Sequence, residues 1–209
     1  MMRIESVASQ PDRAGRHTVR FDDGSAMRLY RQTVQDFGLY PGKELADEEM
    51  TALRKAAGEM SAKMRAVRIV SATNVSKRDL EQRLIHKGED PNQAKQAVAW
   101  MSELNLLDDA KTAEQVVHTC IRKGYGIARA KQALYEKRIP KEYWEDALAD
   151  YPDQTDKITE FLSSRLQPGY EERDLRRATD ALLRRGHSYQ QIRRALDALC
   201  LAEDFQEDF

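Results

Sequence analysis

Ser76-Lys77-Arg78-Asp79-Leu80-Glu81-Gln82-Arg83-Leu84-Ile85-His86-Lys87-Gly88-Glu89-Asp90-Pro91 contains the start of one helix, its stop and the start of the next. Ser76 and Asp79 form a capping box, in which the serine oxygen accepts an orphan N–H of the first turn and an acid stands three residues later. Leu80, Leu84 and Ile85 mark one face, and Lys87-Gly88 ends the helix. Asp90-Pro91 then opens a second helix, because proline suits the first helical position, where its missing N–H is not needed. Ala94, Ala97, Val98 and Met101 recur at spacings of three and four, which completes a helical hairpin.

Outward from this hairpin, a third helix begins at Asp108-Asp109, turns Ala113, Val116, Val117 and Cys120 inward, and stops at Lys123-Gly124. The same pattern returns about 50 residues later with Ala130, Leu134 and Lys137-Arg138, then Trp144, Ala147, Leu148 and Tyr151. It returns again with Ala178, Leu182 and Arg185-Gly186, then Ile192, Ala195, Leu196 and Leu199, with Ser188 and Gln191 as another capping box. A helix carrying Ile158, Phe161, Leu162 and Leu166 stands between the second and third hairpins. Repeats of this kind stack so that each buries its neighbour's apolar face. The fold expected is mainly α: tandem three-helix repeats forming an elongated curved solenoid, over 61–124, 125–167 and 168–209.

Residues 1–60 differ. Ile4 to Val7, Thr18 to Phe21 and Ala26 to Leu29 read as strands, the last two flanking the hairpin turn Asp22-Asp23-Gly24-Ser25. So small a sheet must lean on the next segment of chain, where Val34, Phe37 and Leu39 precede Pro41-Gly42 and the acidic Asp47-Glu48-Glu49 opens a helix carrying Met50 and Leu53.

Composition supports the helical reading and removes several function classes. The 209 residues include 10 glycines and 6 prolines, too few turn formers for a many-stranded sandwich or barrel. With 41% hydrophobic and 33% charged residues, the chain can build a core and disorder is excluded. No apolar run approaches the length of a spanning helix, and Met1-Met2-Arg3-Ile4-Glu5-Ser6 is unlike a secretory signal, so a cytoplasmic protein is expected. Cys120 and Cys200 read as small buried hydrophobes without metal-ligand spacing. The net charge of -1 argues against a protein whose main task is wrapping bare nucleic acid.

The residues hold no recognisable catalytic set. Gly124-Tyr125-Gly126 lacks the third glycine or the Gly-Lys-Ser/Thr of a phosphate loop. His17, His86, His118 and His187 are scattered, and His86 and His187 sit beside helix-ending glycines, where a cation-capable ring meets the negative end of the dipole. Asp108-Asp109 is better placed for N-capping than for acid–base work. No enzyme, metal or cofactor is expected. Two basic groups remain: Arg122, Lys123, Arg129, Lys131, Lys137 and Arg138 around Tyr125, and Arg176, Arg177, Arg184, Arg185, Arg193 and Arg194, with Arg173, in the last repeat. Each fits either a contact surface or a solvated face, the latter neutralised by neighbours such as Glu171, Glu172, Asp174 and Asp180.

Gly124-Tyr125-Gly126-Ile127, with Ala130, Leu134, Lys137, Arg138, Ile139 and Pro140 after it, resembles the central motif of the RecX family of bacterial recombinase regulators. Ser76, Leu80, Leu84 and Lys87-Gly88 are similar to that family's first hairpin, and Leu104 to Asp109 with Ala113 to the stretch after that hairpin. Arg138 stands where the family usually has glycine, and Asp79 where it favours glutamate. The resemblance runs from about residue 64 to the C-terminus. It implies a non-catalytic protein that lodges in the groove of the RecA filament on single-stranded DNA, bridges protomers and restrains recombinase, ATPase and coprotease activities. A monomer with at most weak direct binding to single-stranded or duplex DNA is expected. A helix-turn-helix duplex binder and a helical-repeat scaffold for another partner are the alternatives.

Overall fold

Four short strands and ten α-helices succeed one another along the chain in a computed structural model that describes residues 1–167 and 169–204, apart from the side chains of 200–204. The readings of Cys200 and of the tail from Leu201 to Phe209 fall outside the described side chains. The chain divides into two compact units, Met1–Leu107 and Asp108–Phe209.

In the first unit, β1 (Met2–Val7), β2 (Arg16–Phe21), β3 (Ala26–Tyr30) and β4 (Glu44–Leu45) form an antiparallel sheet of order β3-β2-β1-β4. The expected hairpin joins β2 to β3, with Val19 opposite Met27. One face buries Ile4, Val19, Phe21, Leu29 and Leu45. A sheet of this size needs a cover, and α1 (Arg31–Asp36) and the start of α2 (Asp47–Ala72) supply it through Met50 and Leu53. The Glu49 carboxylate accepts the Ala46 N–H at 3.0 Å, and the acids of the first turn complement the helix dipole.

Helix α2 is 26 residues long and runs through residue 60 without interruption, so it serves two cores. Its second half presents Ala62 and Ala66, both fully buried, to α3 (Lys77–His86) and α4 (Pro91–Glu103). Side chains this small allow close helix approach, and the gap is filled by Leu80, Leu84, Ala94, Ala97 and Met101. The caps are those anticipated. Ser76 Oγ accepts the Asp79 N–H at 3.1 Å, and Asp90 accepts the N–H groups of Asn92 and Gln93 at 2.9 and 3.2 Å.

The second unit contains α5 (Asp109–Arg122), α6 (Ile127–Glu136), a 3-10 turn (Lys141–Tyr143) leading into α7 (Trp144–Leu148), α8 (Thr155–Arg165), α9 (Glu172–Arg184) and α10 (Tyr189–Asp204). One cluster joins Ala113 and Val117 of α5 to Leu134 and Ile139, with Trp144 and Leu148 of α7 against it. Another joins Ile158 and Leu162 of α8 to Ala178 and Leu182 of α9 and Ile192 and Ala195 of α10. The buried clusters therefore group each leading helix with the hairpin after it: α2 with α3 and α4, α5 with α6 and α7, α8 with α9 and α10. The segments 61–124 and 125–167 instead end with α5 and α8, and so place these two helices with the hairpins before them.

Candidate partner-binding cleft

Within the second unit, the ends of α5 and α9 are built alike. Each closes on a glycine in the left-handed region, Gly124 at φ 64° and Gly186 at φ 86°. In each, the next residue's N–H returns to the carbonyl five residues back, Tyr125 to Cys120 at 3.0 Å and His187 to Leu182 at 3.2 Å. The two turns lock onto one another. The Gly126 N–H donates to the Arg185 carbonyl at 2.9 Å, and His187 Nε2 lies 3.0 Å from the Gly124 carbonyl oxygen. A carbonyl only accepts, so Nε2 carries the proton at this contact. A Cβ on Gly126 would overlap the Gly186 carbonyl, which explains the second glycine of Gly124-Tyr125-Gly126: it permits close backbone approach.

His187 is buried, and loss of solvent holds its pKa below the ordinary 6.5, with Arg185 acting in the same direction and the Gly124 contact opposing. This corrects the expectation that it caps a helix as a cation. The ring bridges two turns 63 residues apart.

The lock brings Arg122 and Lys123, at the end of α5, close to Arg184 and Arg185, at the end of α9. Between them lies Phe161 of α8. The Arg185 guanidinium sits 4.4 Å from the centre of its ring and that of Arg165 5.5 Å. Two adjoining clefts of about 480 and 310 Å³ share Phe161 and Arg185. The larger is lined also by Arg165, Asp174, Arg177 and Arg184, the smaller by Arg122, Lys123, Lys157 and Glu160. Seven cations thus face two carboxylates. Lys157 pairs with Glu160 at 2.9 Å and Arg177 approaches Asp174 at 4.0 Å. Arg122, Lys123, Arg165, Arg184 and Arg185 have no carboxylate partner among the described residues. The arrangement suits an acidic or phosphate-bearing surface with an apolar or aromatic projection for Phe161.

Of the residues singled out in the sequence, Arg122, Lys123, Arg177, Arg184 and Arg185 meet here. Tyr125 is half-buried with Lys123 Nζ 6.0 Å from its ring centre, and its carbonyl accepts the Tyr151 hydroxyl at 2.7 Å, so it packs the turn. Arg129 pairs with Glu136 at 2.9 Å, a contact that raises the arginine's pKa and lowers the glutamate's. Arg176 pairs with Glu172 at 3.1 Å on an exposed face. Lys131, Lys137, Arg138, Arg193 and Arg194 line neither cleft. Sequence reasoning missed Lys157 and Arg165 and assigned Phe161 to the core alone. The signal was present, because 157, 161 and 165 are spaced by four and share one face of α8. Among the described residues no group of His, Cys, Asp or Glu could hold a metal ion, and no helix is long and apolar enough to cross a membrane.

Comparison with known proteins agrees with this architecture. Residues 108–148, spanning α5 to α7, match the family description "RecX, second three-helix domain". A protein of Clostridioides difficile (strain 630) named Regulatory protein RecX is 26% identical over 159 residues, 76% of this chain and 73% of the relative. One of the same name from Vibrio parahaemolyticus serotype O3:K6 (strain RIMD 2210633) is 27% identical over 121 residues, 58% of this chain and 78% of the relative. A crystal structure of regulatory protein RecX has the same fold, with a TM-score of 0.64 at 21% identity over 94% of this chain and 100% of the other. The matched three-helix domain and the relatives agree with the ordered motifs, so the chain is similar to RecX proteins over most of its length, and most specifically over residues 108–148.

Proposed function

We propose that the chain is a non-catalytic regulator that binds the RecA filament on single-stranded DNA and restrains its recombinase, ATPase and coprotease activities. It acts as a cytoplasmic monomer without a cofactor, and the Phe161 cleft is its contact surface. The observation that carries this reading is the seating of Arg165 and Arg185 on Phe161 beside Arg122, Lys123 and Arg184, all five without a carboxylate partner among the described residues. An aromatic anchor bordered by arginines is the composition of an interface hot spot. Excess local positive charge on a chain of net charge -1 favours an acidic partner surface by steering rather than by general attraction to nucleic acid. The relatives' name, Regulatory protein RecX, supports the coarser part of this reading, a regulatory role.

The test is RecA ATPase on single-stranded DNA with substoichiometric amounts of this chain. The wild type lowers the rate. Arg165→Glu with Arg184→Glu, both exposed, raises the amount needed by about tenfold or more, equal to about 1.4 kcal/mol, while helical circular dichroism is unchanged. Arg193→Glu with Arg194→Glu, on α10 outside the clefts, leaves inhibition intact. Full inhibition by the first variant rejects the cleft as the contact, and no effect of the wild type rejects the function.

A further inference from the structure

The first unit holds a second basic cleft that the filament reading does not use. Its floor is one stripe of α2, Ser61, Arg65, Arg68, Ile69 and Ala72, spaced so that all share a face of the helix. Arg83 and Lys87 of α3 form one wall, and Ala14, Arg16 and Tyr30 of the N-terminal sheet region form the other. The volume is about 510 Å³, within the range of pockets that take small ligands.

The charges in this cleft are of two kinds. Three arginines are tied back by carboxylates. Arg65 Nε lies 2.7 Å from Glu89, a buried carboxylate that also accepts the Ser61 hydroxyl at 3.0 Å. Arg83 lies 3.0 Å from the buried Asp79, and Arg16 lies 2.8 Å from Asp12. A guanidinium has five N–H donors, so each can commit one edge to its carboxylate, be fixed by it, and keep donors in reserve. The other two cations are not compensated. Arg68 Nη2 donates only to neutral oxygens, the Ala14 carbonyl at 2.8 Å and the Tyr30 hydroxyl at 2.9 Å. Lys87 is exposed and has no carboxylate partner among the described residues.

We propose that this cleft is a binding site for a phosphate-bearing ligand of mononucleotide size. Arg68 and Lys87 supply the unneutralised charge. Arg65 and Arg83, held in place by buried acids, supply donors that need no ordering when the ligand arrives. Ile69 and Ala72 offer an apolar surface to the rest of the ligand. Two free cations suit one di- or triphosphate group, whereas a protein that tracks a nucleic-acid backbone neutralises a run of phosphates, about six to ten for a tight duplex binder. The site gives the N-terminal sheet a role, since without Ala14, Arg16 and Tyr30 the cleft has one wall.

Calorimetric titration of the full chain with ATP, and separately with pyrophosphate, at low salt tests this. Both bind saturably at one site, ATP the more tightly because pyrophosphate has nothing to lay on Ile69 and Ala72. Lys87→Glu, an exposed change that leaves circular dichroism unaltered, weakens ATP by about tenfold or more, and Arg68→Gln does the same while keeping a donor for Tyr30. No saturable binding of either probe at about millimolar concentration overturns the proposal. So does ATP binding that is unchanged in Lys87→Glu, or binding confined to a single-stranded oligonucleotide. The site lies in a different unit from Phe161, so none of these results bears on the filament reading.

Discussion

Gly126 and Gly186 meet backbone to backbone: the Gly126 N–H donates to the carbonyl just before Gly186, and a side chain on Gly126 would occupy the space of the Gly186 carbonyl. This contact joins the end of α5 to the end of α9 and gathers the cations of the candidate cleft. Gly126→Ala is expected to destabilise the protein by about 3 kcal/mol, the upper end of overpacking costs, because backbone on both sides cannot retreat. Urea unfolding measures it, and a change below about 0.5 kcal/mol would show that the two turns do not pack as described.

Arg138 has φ of 53°, a left-handed conformation that opposes its side chain. It closes α6, where its N–H donates to the Tyr135 carbonyl at 2.8 Å. Arg138→Gly removes a strain of about 1 kcal/mol and raises the thermal midpoint by a few degrees, read by differential scanning calorimetry. A lower midpoint would mean that the arginine side chain contributes more than its backbone costs.

His187 makes stability depend on pH in a defined direction. Burial disfavours its protonated form in the folded state, while in the unfolded chain it titrates near 6.5. The unfolded state therefore binds more protons as the pH falls, so the stability present above about pH 6.5 declines below it. Urea midpoints at pH 7.5 and 5.5 record the decline. His187→Gln, whose amide can still donate to Gly124, flattens the difference, and an equal slope in both proteins would assign the effect to other groups.

Tyr151 donates to the Tyr125 carbonyl, and burial pushes its pKa up to about 12. Its phenol stays protonated in the folded state while the unfolded chain ionises near 10, so stability falls as the pH rises above that value. Ultraviolet titration should find the same number of tyrosines ionising before unfolding in the wild type and in Tyr151→Phe, since the residue removed is one that stays protonated. Tyr151→Phe should cost about 1 kcal/mol at neutral pH, the worth of one hydrogen bond.

Much of this architecture was legible because caps are local. Ser76, Asp90 and Asp108 announce α3, α4 and α5 through side chains that accept N–H groups of their own first turn. Strand β4 was not legible, since two residues carry no periodicity and pairing with Met2 and Arg3 is a tertiary event. Helix α1 begins after Tyr30 with no side-chain cap, so nothing in the sequence marks its start. Basic residues at 122–123 and at 184–185 could each be seen as clusters, yet their convergence depends on the contact between two turns, which no local pattern encodes. Phe161 shows the same limit. Its spacing with Ile158 and Leu162 places it on a buried face, and only the surrounding arginines reveal its other side.

The central claim is that the assembled filament is the partner. Fluorescence anisotropy of the labelled chain, titrated in parallel with RecA on single-stranded DNA, free RecA, the DNA alone and a duplex, tests it at two salt concentrations. The account predicts that the filament is bound at least about tenfold more tightly than any separate component, with the preference lost in Arg165→Glu, Arg184→Glu. Tighter binding to naked duplex, falling steeply as salt rises, would contradict it.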